Sequence, residues 1–170
     1  MIKKRSYPEI EITKEMFDEA LVREKSIPQN LKNSILSGGG IFTGCIGEVA
    51  FQAYSGGEKC NTRDFDICLR NGKLCEVKTK KRKEKPMSSY ECSISNYNTS
   101  QECDYYVFAS TLLDFSKTWI VGFLPRDEFY KRAIFRAKGD VDPSNNQVCK
   151  APCWNVKISE TFDIKDLPNE

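Results

Sequence analysis

The sequence predicts a mixed α/β fold, an α+β arrangement in which a mixed sheet is flanked by helices, in one domain spanning residues 1–170. Three observations predict it. The first third carries helical periodicity, the middle carries an Asn-Gly turn between two alternating segments, and short apolar runs of strand length follow before another helix. A chain of 170 residues is long enough to bury one substantial core.

Apolar residues at 16, 17, 20 and 21, behind Thr13 as an N-cap, predict a helix from Thr13 to about Arg23. Pro28 to Leu36 reads as a second helix, broken by Gly38-Gly39-Gly40. Thr43 to Tyr54 reads as a third, with Ile46, Val49, Ala50 and Ala53 on one face and Gly56-Gly57 at its end. Strands are expected at 63–69 and 73–80 around Asn71-Gly72, and another at 90–95. A short helix is expected at 98–103, buried strands at 105–110 and 119–124, and a helix from Pro125 to about Phe135. A loop at 142–146 and a last strand at 154–158 complete the pattern.

Charged residues make up 29% and hydrophobic ones 39%, the balance of a soluble globular protein, and an intracellular location is expected. No apolar stretch approaches the roughly 18 residues of a membrane span. Met1 to Arg5 is basic but leads into Ser6-Tyr7-Pro8-Glu9, so it is not expected to act as a secretory signal. The eight cysteines contain no C-x-x-C; they read as reduced, small hydrophobes, with a zinc or iron–sulfur site around Cys149 and Cys153 as the alternative. There is no histidine, which excludes Ser-His-Asp and Cys-His catalysis and a His-ligated zinc. Acid–base chemistry must then come from carboxylates, lysine, tyrosine, cysteine or metal-activated water.

The candidate chemistry lies in the hairpin. Asp64, Asp66 and Cys68 share one face of the first strand, and Glu76 and Lys78 share one face of the second. Their meeting depends on the turn. A two-residue Asn71-Gly72 loop sets Asp66 against Val77; a three-residue Arg70-Asn71-Gly72 loop sets Asp66 across from Glu76, and Asp64 across from Lys78. Opposed carboxylates repel, and a divalent cation between them reverses the sign. Asp66, Glu76 and the Val77 carbonyl are candidate ligands for Mg²⁺ or Mn²⁺, with Asp64 in reserve, and Lys78 is placed to orient or deprotonate water. Asp66 also sits between Phe65 and Ile67, an apolar setting that is costly for an unpartnered acid.

Six basic residues and one acid follow in Lys78–Lys85 (KTKKRKEK), while the whole chain has a net charge of only +2. Lys80, Lys81, Arg82, Lys83 and Lys85 are candidate phosphate contacts for DNA. A solvated loop and a nuclear localisation signal are the alternatives. Tyr90 and Tyr97 are candidates for base stacking or for plain packing. Arg126, Lys131, Arg132, Arg136 and Lys138 form a second basic stretch, equally readable as a solvated helix face.

Asp66 followed by Glu76-Val77-Lys78 resembles the PD-(D/E)XK nuclease superfamily, in particular its compact phage-type or restriction-type members. Gly44-Cys45-Ile46-Gly47-Glu48-Val49-Ala50 resembles the helix that precedes the motif, with Glu48 in the place of that family's helical glutamate. Asp104 to Phe108 and Trp119 to Pro125 resemble its later strands. The residue before Asp66 is Phe65 rather than proline. The resemblance implies a restriction-endonuclease-like αβββαβ core over about 43–135, preceded by N-terminal helices at 13–36 and followed by an extension at 136–170. It also implies hydrolysis of phosphodiesters in DNA, with Glu48 orienting Lys78 or binding a second metal and Gln101 as an accessory residue. A homodimer is a further expectation, since cutting two strands often takes two sites. A non-catalytic DNA-binding protein of the same fold and an RNA-directed nuclease are the competing expectations.

Overall fold

The computed structural model describes residues 5–28, 39–60, 62–143 and 146–170. The helix expected at 28–36 falls almost entirely outside the described residues.

Helix α1 spans Lys14–Ser26, and Thr13 caps it as expected: its Oγ1 accepts from the Met16 N–H at 3.2 Å. Helix α2 spans Gly39–Ser55, so Gly39 and Gly40 open this helix instead of separating two. It ends at Gly56, whose φ of +67° is the left-handed conformation that glycine adopts without a Cβ clash. Helix α3 is short, Arg126–Arg132. The expected continuation to Phe135 does not form, because Ala133 is extended and Ile134–Arg136 becomes a strand.

The main sheet has six strands: β1 (Glu9–Glu11), β2 (Glu58–Lys59), β3 (Ile67–Cys68), β4 (Leu74–Arg82), β6 (Tyr105–Leu112) and β7 (Lys117–Pro125). Their order is β1-β7-β6-β4-β3-β2. The central pair β4–β6 is parallel, and every other pair is antiparallel, which makes the sheet mixed. A second sheet, β5-β9-β8, joins Glu91–Ser95, Cys153–Lys157 and Ile134–Arg136. Between β4 and β6 the chain makes β5 and a single 3₁₀ turn at Asn96–Asn98, where a helix at 98–103 was expected.

Strand alternation separates two cores. Cys75, Val77, Val107 and Ala109 face α2, packing with Ala50 and Phe51. Tyr106 and Phe108 face the other way, packing with Ile94 and Val156 of the second sheet and Phe129 of α3. The sheet is therefore covered by α1 and α2 on one side and by α3 and the second sheet on the other. Each large side chain wholly removed from water contributes about 1.5–3 kcal/mol, so this double cover dominates the stabilisation. Glu76, Lys78, Lys80 and Arg82 lie at alternate positions of β4, on the face toward the second sheet.

Candidate active site

The hairpin adopts the three-residue loop. Leu69 N–H donates to Lys73 O at 2.8 Å, Gly72 N–H donates to Leu69 O at 2.9 Å, and Gly72 has φ +81°. The ladder pairs Cys68 with Leu74 and Ile67 with Cys75, and just beyond it the Asp66 N–H donates to the Cys75 carbonyl at 2.8 Å, which keeps Asp66 close enough to Glu76 for the two charges to interact. At Asp66 the strand ends and its carboxylate continues the pairing: the Val77 N–H donates to Oδ2 at 2.8 Å. In a strand, a residue's N–H and C=O point to the same edge. The Val77 carbonyl therefore points toward the edge where β3 has stopped, beside Asp66.

Glu76 is buried, and two side chains hold its Oε1: Lys78 Nζ at 2.5 Å and Gln101 Nε2 at 2.9 Å. Gln101 is itself fixed through the Arg63 carbonyl at 2.9 Å. Arg126 donates to the Gln101 and Thr99 carbonyls at 2.9 and 2.8 Å, anchoring that loop to the start of α3.

Glu48 reaches the site from α2. A Cβ on Gly47 would fall 1.7 Å from Thr79 Oγ1, so only glycine lets the helix lie this close to β4. Glu48 pairs with Arg23 of α1 at 3.5 Å, and Arg23, almost wholly buried, also bonds Glu19 at 3.1 Å and Gln52. In this structure Glu76 holds Lys78, while Glu48 is paired with Arg23. Arg23 was not singled out from the sequence; a basic residue at the end of an amphipathic stretch carries no signal of an inward-facing role.

The electrostatics are those of crowded acids. Burial pushes the Asp66 carboxyl well above the ordinary carboxylate range, and the charges of Glu76 and Glu48 push it further, against the Val77 N–H and the Lys78 ammonium. Burial raises Glu48 as well; Arg23 opposes the rise and Glu76 adds to it. Beside them, burial and then the charge of Glu76 push the Cys103 thiol up to about 12.

A cation would relieve this crowding. Among the described residues, no three Asp, Glu, Cys or His side chains converge on one metal position. Two carboxylates and a backbone carbonyl are nonetheless a donor set that suits Mg²⁺, which keeps several of its waters and prefers oxygen. The residues present fit such an ion in kind. Asp64 stands apart: it lies in a turn before β3, its N–H on Thr62 Oγ1 at 3.3 Å, and the ladder stops before it can face Lys78.

The basic run is divided by strand alternation. Lys81, Lys83 and Lys85 are exposed, with Lys81 over the Phe115 ring at 4.8 Å. Lys80 and Arg82 turn beneath the second sheet and line a cavity there; Arg82 donates to Ser110 Oγ at 3.2 Å and to the Glu91 carbonyl at 3.0 Å. In the second basic stretch, Lys131 and Arg132 bond Glu128, and Arg136 bonds Glu91. Tyr90 packs against Arg82 at 4.5 Å, whereas Tyr97 is exposed. All eight cysteines are free thiols.

No helix among the described residues is long and apolar enough to cross a membrane. No protein-family model matches this chain, and no curated protein is similar to it in sequence.

Proposed function

We propose that this protein is a metal-dependent nuclease that hydrolyses phosphodiester bonds in DNA, using Asp66, Glu76 and Lys78. One observation carries the reading. The three-residue turn and the Val77 N–H hold Asp66 close enough to Glu76 for their charges to interact, and Lys78 lies on the Glu76 carboxylate, so two acids and a lysine gather where the pairing of β3 with β4 stops. The resemblance to the PD-(D/E)XK pattern supports it, with Glu48 close enough for its charge to act on Asp66.

Each residue has a part in the chemistry. The Val77 N–H fixes Asp66, and Gln101 fixes Glu76. Lys78 places a positive charge where an attacking water and a phosphate oxygen would sit; it orients the one and offsets charge on the other. Glu48, countered by Arg23, adds a further carboxylate at the rim. Asp66, Glu76 and the Val77 carbonyl would hold Mg²⁺ or Mn²⁺. When bound, the ion supplies charge that polarises the phosphoryl group and makes water a better nucleophile.

The test is a cleavage assay with linear, circular, branched and single-stranded DNA, and with RNA as competitor, in Mg²⁺ and in Mn²⁺. Metal-dependent cleavage is expected, and cleavage that RNA suppresses reassigns the substrate. A second reading, a DNA-binding protein without catalysis, draws on Glu76 and Glu48 being engaged by Lys78 and Arg23. Absence of both Mn²⁺ binding by calorimetry and cleavage would establish it.

A further inference from the structure

The face of β4 that carries Glu76 and Lys78 continues past the acids. Lys80 and Arg82 follow on that face, each about 6.6 Å further along the strand. There the two sheets enclose a cavity of about 80 Å³ between β4, β5 and β6. Lys78, Lys80, Arg82, Ser93 and Ser110 line it, with Phe108 at its apolar side.

Three cations in an enclosed space call for counter-charge. Lys78 has Glu76. Glu91 also borders the cavity, but Arg136 holds both of its oxygens, at 2.7 and 3.3 Å. Among the described residues, no carboxylate lies within ion-pair distance of Lys80 or Arg82. The hydrogen-bond partners of Arg82 are a hydroxyl and a carbonyl, with the Tyr90 ring against it, and Asp142 acts on it only through its charge, beyond ion-pair distance. Burial is the largest influence on Lys80 and lowers its pKa; Cys92 and Glu91 only partly oppose this. A desolvated cation without a paired carboxylate is stabilised by an incoming anion. Ser110 accepts from Arg82 and keeps its own hydroxyl proton to donate.

We propose that this cavity is a pocket for one phosphate group, gripped by Lys80 and Arg82 and assisted by Ser110. Its volume suits a tetrahedral oxyanion and lies well below the roughly 300 Å³ at which small-molecule pockets begin. Because Lys78 belongs both to the pocket and to the acid cluster, a phosphate seated here adjoins the group being cleaved. The identity of that phosphate as part of a nucleic acid rests on the nuclease reading. Its source is either a phosphomonoester at a chain end or an internal phosphodiester.

The experiment is calorimetric titration of the full chain with inorganic phosphate in EDTA. Saturable binding is expected, weakened about tenfold or more in Lys80→Met and unchanged in Lys138→Met, an exposed lysine elsewhere. Ser110→Ala, weakened to a smaller degree, is the second variant should Lys80→Met fail to fold by circular dichroism. No binding by the wild type, or equal binding by wild type and pocket variants, overturns the pocket. Displacement of phosphate by an oligonucleotide bearing a terminal phosphate, but not by the same oligonucleotide without it, assigns the chain end. Displacement by both assigns the internal phosphodiester, and displacement by neither overturns the link to nucleic acid. The titration needs neither metal nor turnover, so its failure leaves cleavage standing, and a failure of cleavage leaves the pocket standing.

Discussion

The Val77 N–H donates to Asp66 Oδ2 at 2.8 Å, so the strand that supplies Glu76 and Lys78 also holds the opposing acid in place. The bond replaces a ladder hydrogen bond at the point where β3 ends. It makes the geometry of the acids depend on backbone, which few side-chain substitutions disturb.

Removing either end of the set should therefore remove catalysis and leave the fold. Asp66→Ala and Lys78→Ala are each expected to lower Mg²⁺-dependent cleavage by at least about 10²-fold, with unchanged far-UV circular dichroism. Full activity in both variants would overturn the assignment.

Gln101 holds Glu76 without lying among the reacting groups. Gln101→Ala should lower activity by about 10–100-fold, the range found for residues that orient a metal ligand, and raise the Mg²⁺ concentration needed for half-maximal rate. A rate loss with no change in metal requirement would separate Gln101 from metal binding.

The pH dependence of stability has a definite sign. Asp66 and Glu48 have raised pKa values in the folded state, so between their unfolded and folded values the native chain holds protons that the unfolded chain has released. Their contribution is fully present below about pH 4 and is lost as pH rises through the folded values. In EDTA, this part of the melting temperature should fall over that window, and Asp66→Asn should flatten the fall. Added Mg²⁺ should raise the melting temperature more at pH 8 than at pH 5; equal increments would sink the link between metal and carboxylates.

Gly47 sets the distance between α2 and β4. Gly47→Ala places a methyl against Thr79 and should cost about 1–3 kcal/mol, measured by urea denaturation. Thr79 Oγ1 is buried without a hydrogen-bond partner, so Thr79→Ala should recover part of that loss in the double variant. Additive losses would show that the close approach is not the cause.

Much of the geometry of the candidate site was legible because hairpin chemistry is local. Asn71-Gly72 marks the turn, and strand parity restricts which side chains can meet; the open question was loop length, which the Leu69 N–H to Lys73 carbonyl bond resolves. Helices α1 and α2 and strands β4 to β7 were readable from period and capping for the same reason. The misses lie where tertiary pairing overrides local pattern. Ile134–Arg136 continues a helical stretch in sequence but pairs with β9, and Glu9–Glu11, too short to stand out, gains strand form from β7. Lys80 and Arg82 read as part of an exposed run, because nothing local shows that β5 and β6 will enclose them.

The order of assembly follows from the same division between near and distant partners. Asp66 and Glu76 are joined by a local turn, whereas β5 pairs with β9, with Glu91 opposite Lys157 and Ser95 opposite Cys153. Short loops close sooner than long ones. The two acids therefore meet while water still screens them, and their repulsion grows only as the distant strands arrive. A divalent cation in the refolding buffer should act chiefly on the late, compacting phase, leaving the early hairpin step unchanged.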